Sequence, residues 1–227
     1  MPFARQHAHQ HALTRTRERR HRLAHEAARL MAESGMRDFH QAKLKAAERL
    51  GIHDDASLPR NREIEDALRE YQRLFHGEAQ AGGLRLRREA ALRALDFFGG
   101  FDARLVGPVL DGTADANAPV ALHLYSDDAD AVPRFLEDHR IPAELRTRRV
   151  RLDRERTEEF PVWLFSAEDL TFDLTVLPHD ALRQSPLSGV DEKPMKRASA
   201  SQVRALLADA EIAAFEANSI VQAGRAR

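Results

Sequence analysis

Residues Gly107 to Tyr125, GPVLDGTADANAPVALHLY, constrain the fold of this chain more than any other stretch. Gly107 and Gly112 interrupt it, and an alternating run closes it. In strand geometry Val120, Leu122 and Leu124 share one face, while Pro119, Ala121, His123 and Tyr125 share the other. The apolar set predicts burial against a core, so the second set faces a prospective site. A later run, Leu170 to Leu177 (LTFDLTVL), alternates in the same way and puts Asp173 on the polar face between Thr171 and Thr175. A carboxylate flanked by large apolar residues is costly to bury unless it is paired. That leaves three expectations for Asp173: a metal, a partner such as His123, or an edge position where water or a nearby hydroxyl serves it.

The flanking sequence supplies the other elements. Ala103 to Leu110 predicts a strand before the glycines, and Val120 to Ser126 predicts one after them. Ser126, Asp127 and Asp128 offer caps for a helix through His139, whose first turn tolerates Pro133. Glu144 to Leu152, Phe160 to Ser166 and Leu170 to Leu177 predict a meander of strands, and a last helix is expected from Ser199 to Ala217.

From Thr14 to Phe98 the periodicity is helical. Leu23, Ala27, Leu30 and Met31 form one stripe that ends at Gly35. Asp38 with Gln41 resembles a capping box for a second helix with Phe39, Ala42, Ala46 and Leu50 inward, closed by Gly51. Asn61 is placed to cap a third, carrying Ile64, Leu68, Tyr71 and Phe75. A fourth, Leu84 to Phe98, points Leu84, Ala91, Leu95 and Phe98 inward. The expected organisation is an α+β chain with a flexible His-rich basic arm over 1–13, a helical domain over 14–98 and an α/β domain over 99–227.

Composition narrows the chemistry. A chain of 227 residues with 43% hydrophobic content can bury a sizeable core. It has no cysteine, which excludes disulfides, thiolate zinc sites and cysteine nucleophiles and suits a reducing cytoplasm. Met1 to Arg22 lacks the apolar stretch of a signal peptide, and no window reaches the length of a membrane span, so a cytoplasmic protein is expected. The net charge of −1 hides local asymmetry. Arg15, Arg17, Arg19, Arg20 and Arg22 make the leading segment basic, and Arg146, Arg148, Arg149, Arg151, Arg154 and Arg156 cluster on the predicted hairpin. Either group could meet phosphates, and Asp153, Glu155, Glu158 and Glu159 could instead neutralise the second. His7, His9 and His11 could share a metal on an extended chain, although a tail without a scaffold holds one weakly.

The frame from Gly107 to Tyr125 resembles the active-site region of the nucleotidyltransferase superfamily related to the palm of DNA polymerase beta. There a strand ends in Gly-Ser or Gly-Gly, a loop follows, and the next strand opens with Asp-x-Asp or Asp-x-Glu. The phrases RDFHQAKLKAAERLG, REIEDALREYQRLF, LVGPVLDGTADA, VALHLYSDDADAV and DLTVLPHDALRQSPL resemble those of proteobacterial nucleotidyltransferase-like proteins. The resemblance implies an N-terminal helical bundle followed by a nucleotidyltransferase-like mixed or antiparallel sheet with helices packed on it. It keeps Gly107, sets Asp173 at the third acidic position and leaves Pro119 and Ala121 where the first two acids belong. Two-metal phosphoryl transfer needs closely spaced carboxylates, and proline and alanine offer none.

The function implied is therefore a non-catalytic module that binds a nucleotide or RNA. Gly107, Gly112, Thr113 and His123 would line its site, with Lys193, Lys196 or Arg197 approaching from the last loop. An alternative is an active transferase that holds magnesium with Asp173 and displaced acids, Asp111 or Asp115. A second alternative is a helix-turn-helix DNA-binding regulator, because AARLMAESGMRDF followed by KAAERLGI resembles the opening of TetR-type repressors. Against it, HDDASLPRN and a helix bearing Glu63, Glu65, Asp66 and Glu70 follow, and such acids repel phosphate.

Overall fold

The computed structural model describes residues 3–75, 77–153, 155–190 and 192–225, with the side chains of 3–13, 73, 75, 77–80 and 217–225 outside that description. Among the described residues there are seven α-helices and one open five-stranded sheet, an α+β arrangement with helices packed on the sheet. Two compact units result, Met1–Ala81 with Gly189–Asp191, and Gly82–Ser188 with Glu192–Arg227.

The first unit is built from α1 (Phe3–Ser34), α2 (Phe39–Leu50) and α3 (Asn61–Phe75). α1 already begins at Phe3, so the break expected after residue 13 is absent; the side chains of His7, His9 and His11 lie outside the described residues. The Asp38 carboxylate accepts from the backbone N–H of His40 at 2.8 Å and of Gln41 at 3.2 Å, fixing the start of α2. Gly51, with φ +62°, closes α2 in the left-handed conformation that a Cβ disfavours. α3 is capped differently from the sequence expectation. The Glu63 carboxylate reaches back to the Arg60 N–H at 2.7 Å, whereas the Asn61 amide donates to the Gly189 carbonyl. Leu23, Ala27, Ala42, Ala46, Ile64 and Leu68 form the core of this unit, so the helical stripes face one another as their spacing requires. Residues 51–60, with a 3₁₀ turn at Asp55–Ser57, separate α2 from α3, and the tight turn of a helix-turn-helix does not join them.

The second unit begins within α4 (Gly77–Phe97). Ala90, Ala91, Ala94 and Leu95 pack with the sheet, because their stripe meets strand side chains; the helix expected to end the helical domain belongs to the sheet. β1 (Arg104–Val106), the one-turn α5 (Pro108–Asp111), β2 (Val120–Tyr125), α6 (Ala131–Asp138), β3 (Glu144–Arg151), β4 (Thr157–Ala167), β5 (Leu170–Leu177) and α7 (Ala200–Arg225) follow. The spatial order is β1-β2-β5-β4-β3, with β2 and β5 parallel and every other pair antiparallel. The expected strand over Ala103 to Leu110 is cut short. Gly107 turns the chain at φ +71°, ψ −155°, Pro108 opens α5 where no amide proton is needed, and Gly112 ends it at φ +80°.

Leu105, Val120, Leu122, Leu124, Phe172, Leu174 and Val176 line one sheet face and are buried with α4, α6 and the first turns of α7. No helix among the described residues is long and apolar enough to cross a membrane. Leu174 is fully buried opposite Leu122. Leu174→Ala is expected to cost about 2–5 kcal/mol of unfolding free energy in urea denaturation. Leu145→Ala, on the exposed edge strand β3, should stay within about 0.5 kcal/mol.

Candidate functional site

The other face of the sheet gathers the polar residues. The parallel register sets Ala121 opposite Asp173 and His123 opposite Thr175. A Cβ on Gly107 would lie 3.9 Å from the Ala121 Cβ, so Gly107, Ala121 and Asp173 run in a row from the end of β1 across β2 to β5. His123, Asp173 and Thr175 are all buried. At one end of this face Tyr125, Val150, Phe160 and Leu177 close a small apolar cluster.

The buried carboxylate of Asp173 is satisfied by Arg148, which reaches from β3 over β4. The guanidinium donates to Oδ2 at 2.6 Å and to Oδ1 at 3.1 Å, and to the Thr175 hydroxyl at 3.0 Å. Such a two-pronged pair fixes both planes and offsets part of the cost of burying the acid. Arg148 keeps 46% of its side chain exposed, so part of the cation meets solvent beside the buried pair. Of the expectations for Asp173, a charged partner is the one realised, and that partner is Arg148 rather than His123. No hydrogen bond joins the His123 ring to a described residue. Burial, helped by the positive charge of Arg148 and Arg197 and opposed by Asp173, pushes its imidazole down to about 4, so the ring is neutral at physiological pH.

The loop between β1 and β2 is held from α4. Arg87, buried, donates to the carbonyls of Ala118, Gly83 and Ala116, and Arg88 donates to those of Val109 and Leu110 at 3.2 and 3.3 Å. Thr113 N–H donates to the Pro108 carbonyl at 2.9 Å, which keeps Gly112 and Thr113 folded over the end of α5. Asp111 pairs with Lys196 at 3.6 Å, and Asp115 accepts from the Asn117 N–H at 2.7 Å in its own turn. The displaced acids thus do not assemble with Asp173. Among the described residues no group of three or more His, Cys, Asp or Glu side chains is placed to hold a metal ion.

The last loop divides the expected cations. Arg197 donates to the Tyr125 hydroxyl at 3.2 Å and to the carbonyls of Ala181 and Leu182, which ties the loop to the sheet. Lys196 leaves 74% of its side chain exposed, and Lys193 is exposed with its carbonyl accepting from Ser188 N–H. Most arginines of the hairpin have acidic neighbours. Arg146 bonds Glu144, Arg151 bonds Glu192 and Arg156 bonds Asp153, while Arg154 lies outside the described residues.

Sequence reasoning placed Arg148 in the hairpin cluster but missed its pairing with Asp173, and it missed Arg87 and Arg88 altogether. Alternation held the signal for the first, since Arg148 shares its strand face with the buried Val150 two residues on. Helical spacing held it for the others, which interrupt the stripe from Leu84 to Ala91 at its inward positions. Compared with known proteins, the chain matches no family model, no curated protein and no solved structure.

Arg148→Ala should destabilise the second unit by about 2 kcal/mol, less than a fully buried pair because the arginine is half exposed. Adding Asp173→Asn should restore part of the loss in a double-mutant cycle of urea unfolding, and purely additive losses would deny the coupling. His123 gives a pH dependence of definite sign. Its folded value is about 4 against an ordinary 6.5, so between these pH values the unfolded chain holds the extra proton. The stability that comes from burying the neutral ring is complete above pH 6.5 and is lost as pH falls toward 4, about 3 kcal/mol in all. Unfolding free energies measured across that window should slope upward with pH, and more shallowly in His123→Gln.

Proposed function

We propose that the second unit is a nucleotidyltransferase-like fold without transferase activity, and that its polar sheet face binds the phosphates of a nucleotide or of RNA. The observation that carries this reading is the state of the acidic positions. Ala121 and Pro119 offer no ligand oxygen, and the one carboxylate in the row, Asp173, is gripped at both oxygens by Arg148. A pair of divalent ions needs several carboxylate oxygens, and removing them removes the device that neutralises charge in phosphoryl transfer. The row itself is bordered by the cation of Arg148, and a second exposed cation, Lys196, stands against Asp111 at the end of α5, next to Gly112 and Thr113.

Gly107 supports the same reading from the backbone. Its φ +71°, ψ −155° conformation is open to glycine alone, while a Cβ there would only come into ordinary contact with the small side chain at 121. In the first unit, Arg15, Arg17, Arg19 and Arg22 are exposed on α1 and suit a phosphate backbone. Arg20 differs, since it donates to the Ala56 carbonyl and is part of the fold.

Titration calorimetry with ATP, with and without magnesium, tests the assignment. Binding should be equally strong in both conditions, because cations of the protein replace the metal, and Lys196→Glu should weaken it by about tenfold. RNA binding should fall steeply with salt, and Arg15→Ala with Arg19→Ala should flatten that dependence. Magnesium-dependent incorporation of labelled nucleotide, lost in Asp173→Ala, would overturn the non-catalytic reading.

A further inference from the structure

We propose that His21, His25 and Glu70, in the first unit, form a surface site for a borderline divalent ion of the zinc class. His21 and His25 lie one helical turn apart on α1, so their rings project from the same face. Their Nε2 atoms approach to 3.1 Å, and the ring centroids are 4.3 Å apart. Two imidazole nitrogens that bind one zinc ion at about 2.0–2.1 Å with an angle between right and tetrahedral stand roughly 2.8–3.4 Å from each other. The observed separation therefore matches the bite of a shared ion without any change of the helix.

Converging two ring nitrogens has a chemical consequence. As a hydrogen bond, the contact requires one ring to carry its proton on Nε2 and the other to accept with its lone pair. With an ion between them, both Nε2 lone pairs point at the metal and both protons sit on Nδ1. Imidazole donors suit zinc, copper and nickel, whereas magnesium and calcium prefer an all-oxygen set.

Glu70 adds charge from a second helix. Its Oε2 stands 3.9 Å from the Nε2 of His25, and both side chains are part exposed at 50% and 38%. The carboxylate balances the ion and accepts from a metal-bound water, and solvent fills the remaining positions. Among the described residues there is no three-donor cage. The site is thus a two-imidazole clamp with an adjacent acid, of moderate affinity, that staples α1 to α3. It does not depend on the reading of the sheet face.

Titrating zinc chloride into the full chain by calorimetry decides the matter. One ion should bind at this site, with affinity at least tenfold weaker in His21→Ala and in His25→Ala and about threefold weaker in Glu70→Gln. Binding should be unaltered in a combined His7→Ala, His9→Ala, His11→Ala variant. Circular dichroism guards against misfolding, and His21→Ala, at an exposed helical position, is the deciding variant if His25→Ala loses structure. Unchanged binding in His21→Ala, or binding lost in the combined variant instead, would sink the assignment.

Discussion

The parallel pairing of β2 with β5 is the constraint on which the second unit depends. Because strand side chains alternate, the register that sets Leu122 beside Leu174 also sets Ala121 beside Asp173 and His123 beside Thr175. A slip of β5 by one residue would drive Asp173 and Thr175 into the apolar layer under α4 and α7, and would turn Phe172, Leu174 and Val176 outward. The cost of burying those polar groups unpaired exceeds the net stability of a typical domain. The core and the candidate site are therefore two faces of a single choice of pairing.

That choice creates an electrostatic problem on the polar face, which the outer strands resolve. Asp173 is too buried to rely on water, and its neighbour His123 is too buried to carry a charge. Arg148 serves the acid at both oxygens and also holds Thr175. Burial is the main reason the imidazole at 123 is neutral, and the positive charge of Arg148 adds to it while Asp173 opposes it. Had His123 been the partner, its own desolvation would have opposed the protonation that pairing needs.

Much of this was legible in the sequence wherever one residue's surroundings are set by its own strand or helix. The alternation of Val120 to Tyr125 and Leu170 to Leu177 foretold which residues are buried, and Asp38 and Gly51 foretold the limits of α2. What depends on a third element was not legible. Asp173 meets an arginine two strands away, and nothing in LTFDLTVL names it. Arg87 and Arg88 looked like interruptions of a helical stripe, yet they fasten the loop from Val109 to Ala118 by its carbonyls. The extent of β1 was misread because Val109 and Leu110 are as apolar as a strand. Backbone torsions at Gly107 and Gly112 decided the outcome there, not hydrophobicity.

Which cations could serve a ligand follows from what each already does. Arg87, Arg88 and Arg197 are committed to main-chain carbonyls, and withdrawing any of them would strand buried acceptors. Arg148 cannot leave Asp173 without exposing the protein to an unpaired buried carboxylate, so an anion can only add to its exposed side. Lys196 is under no such restraint. Its contact with Asp111 is long at 3.6 Å and its own end is exposed, and long pairs with one end in solvent contribute little. If the polar face binds phosphate as proposed, the ligand would compete with Asp111 for Lys196, whereas it could not displace Asp173 from Arg148.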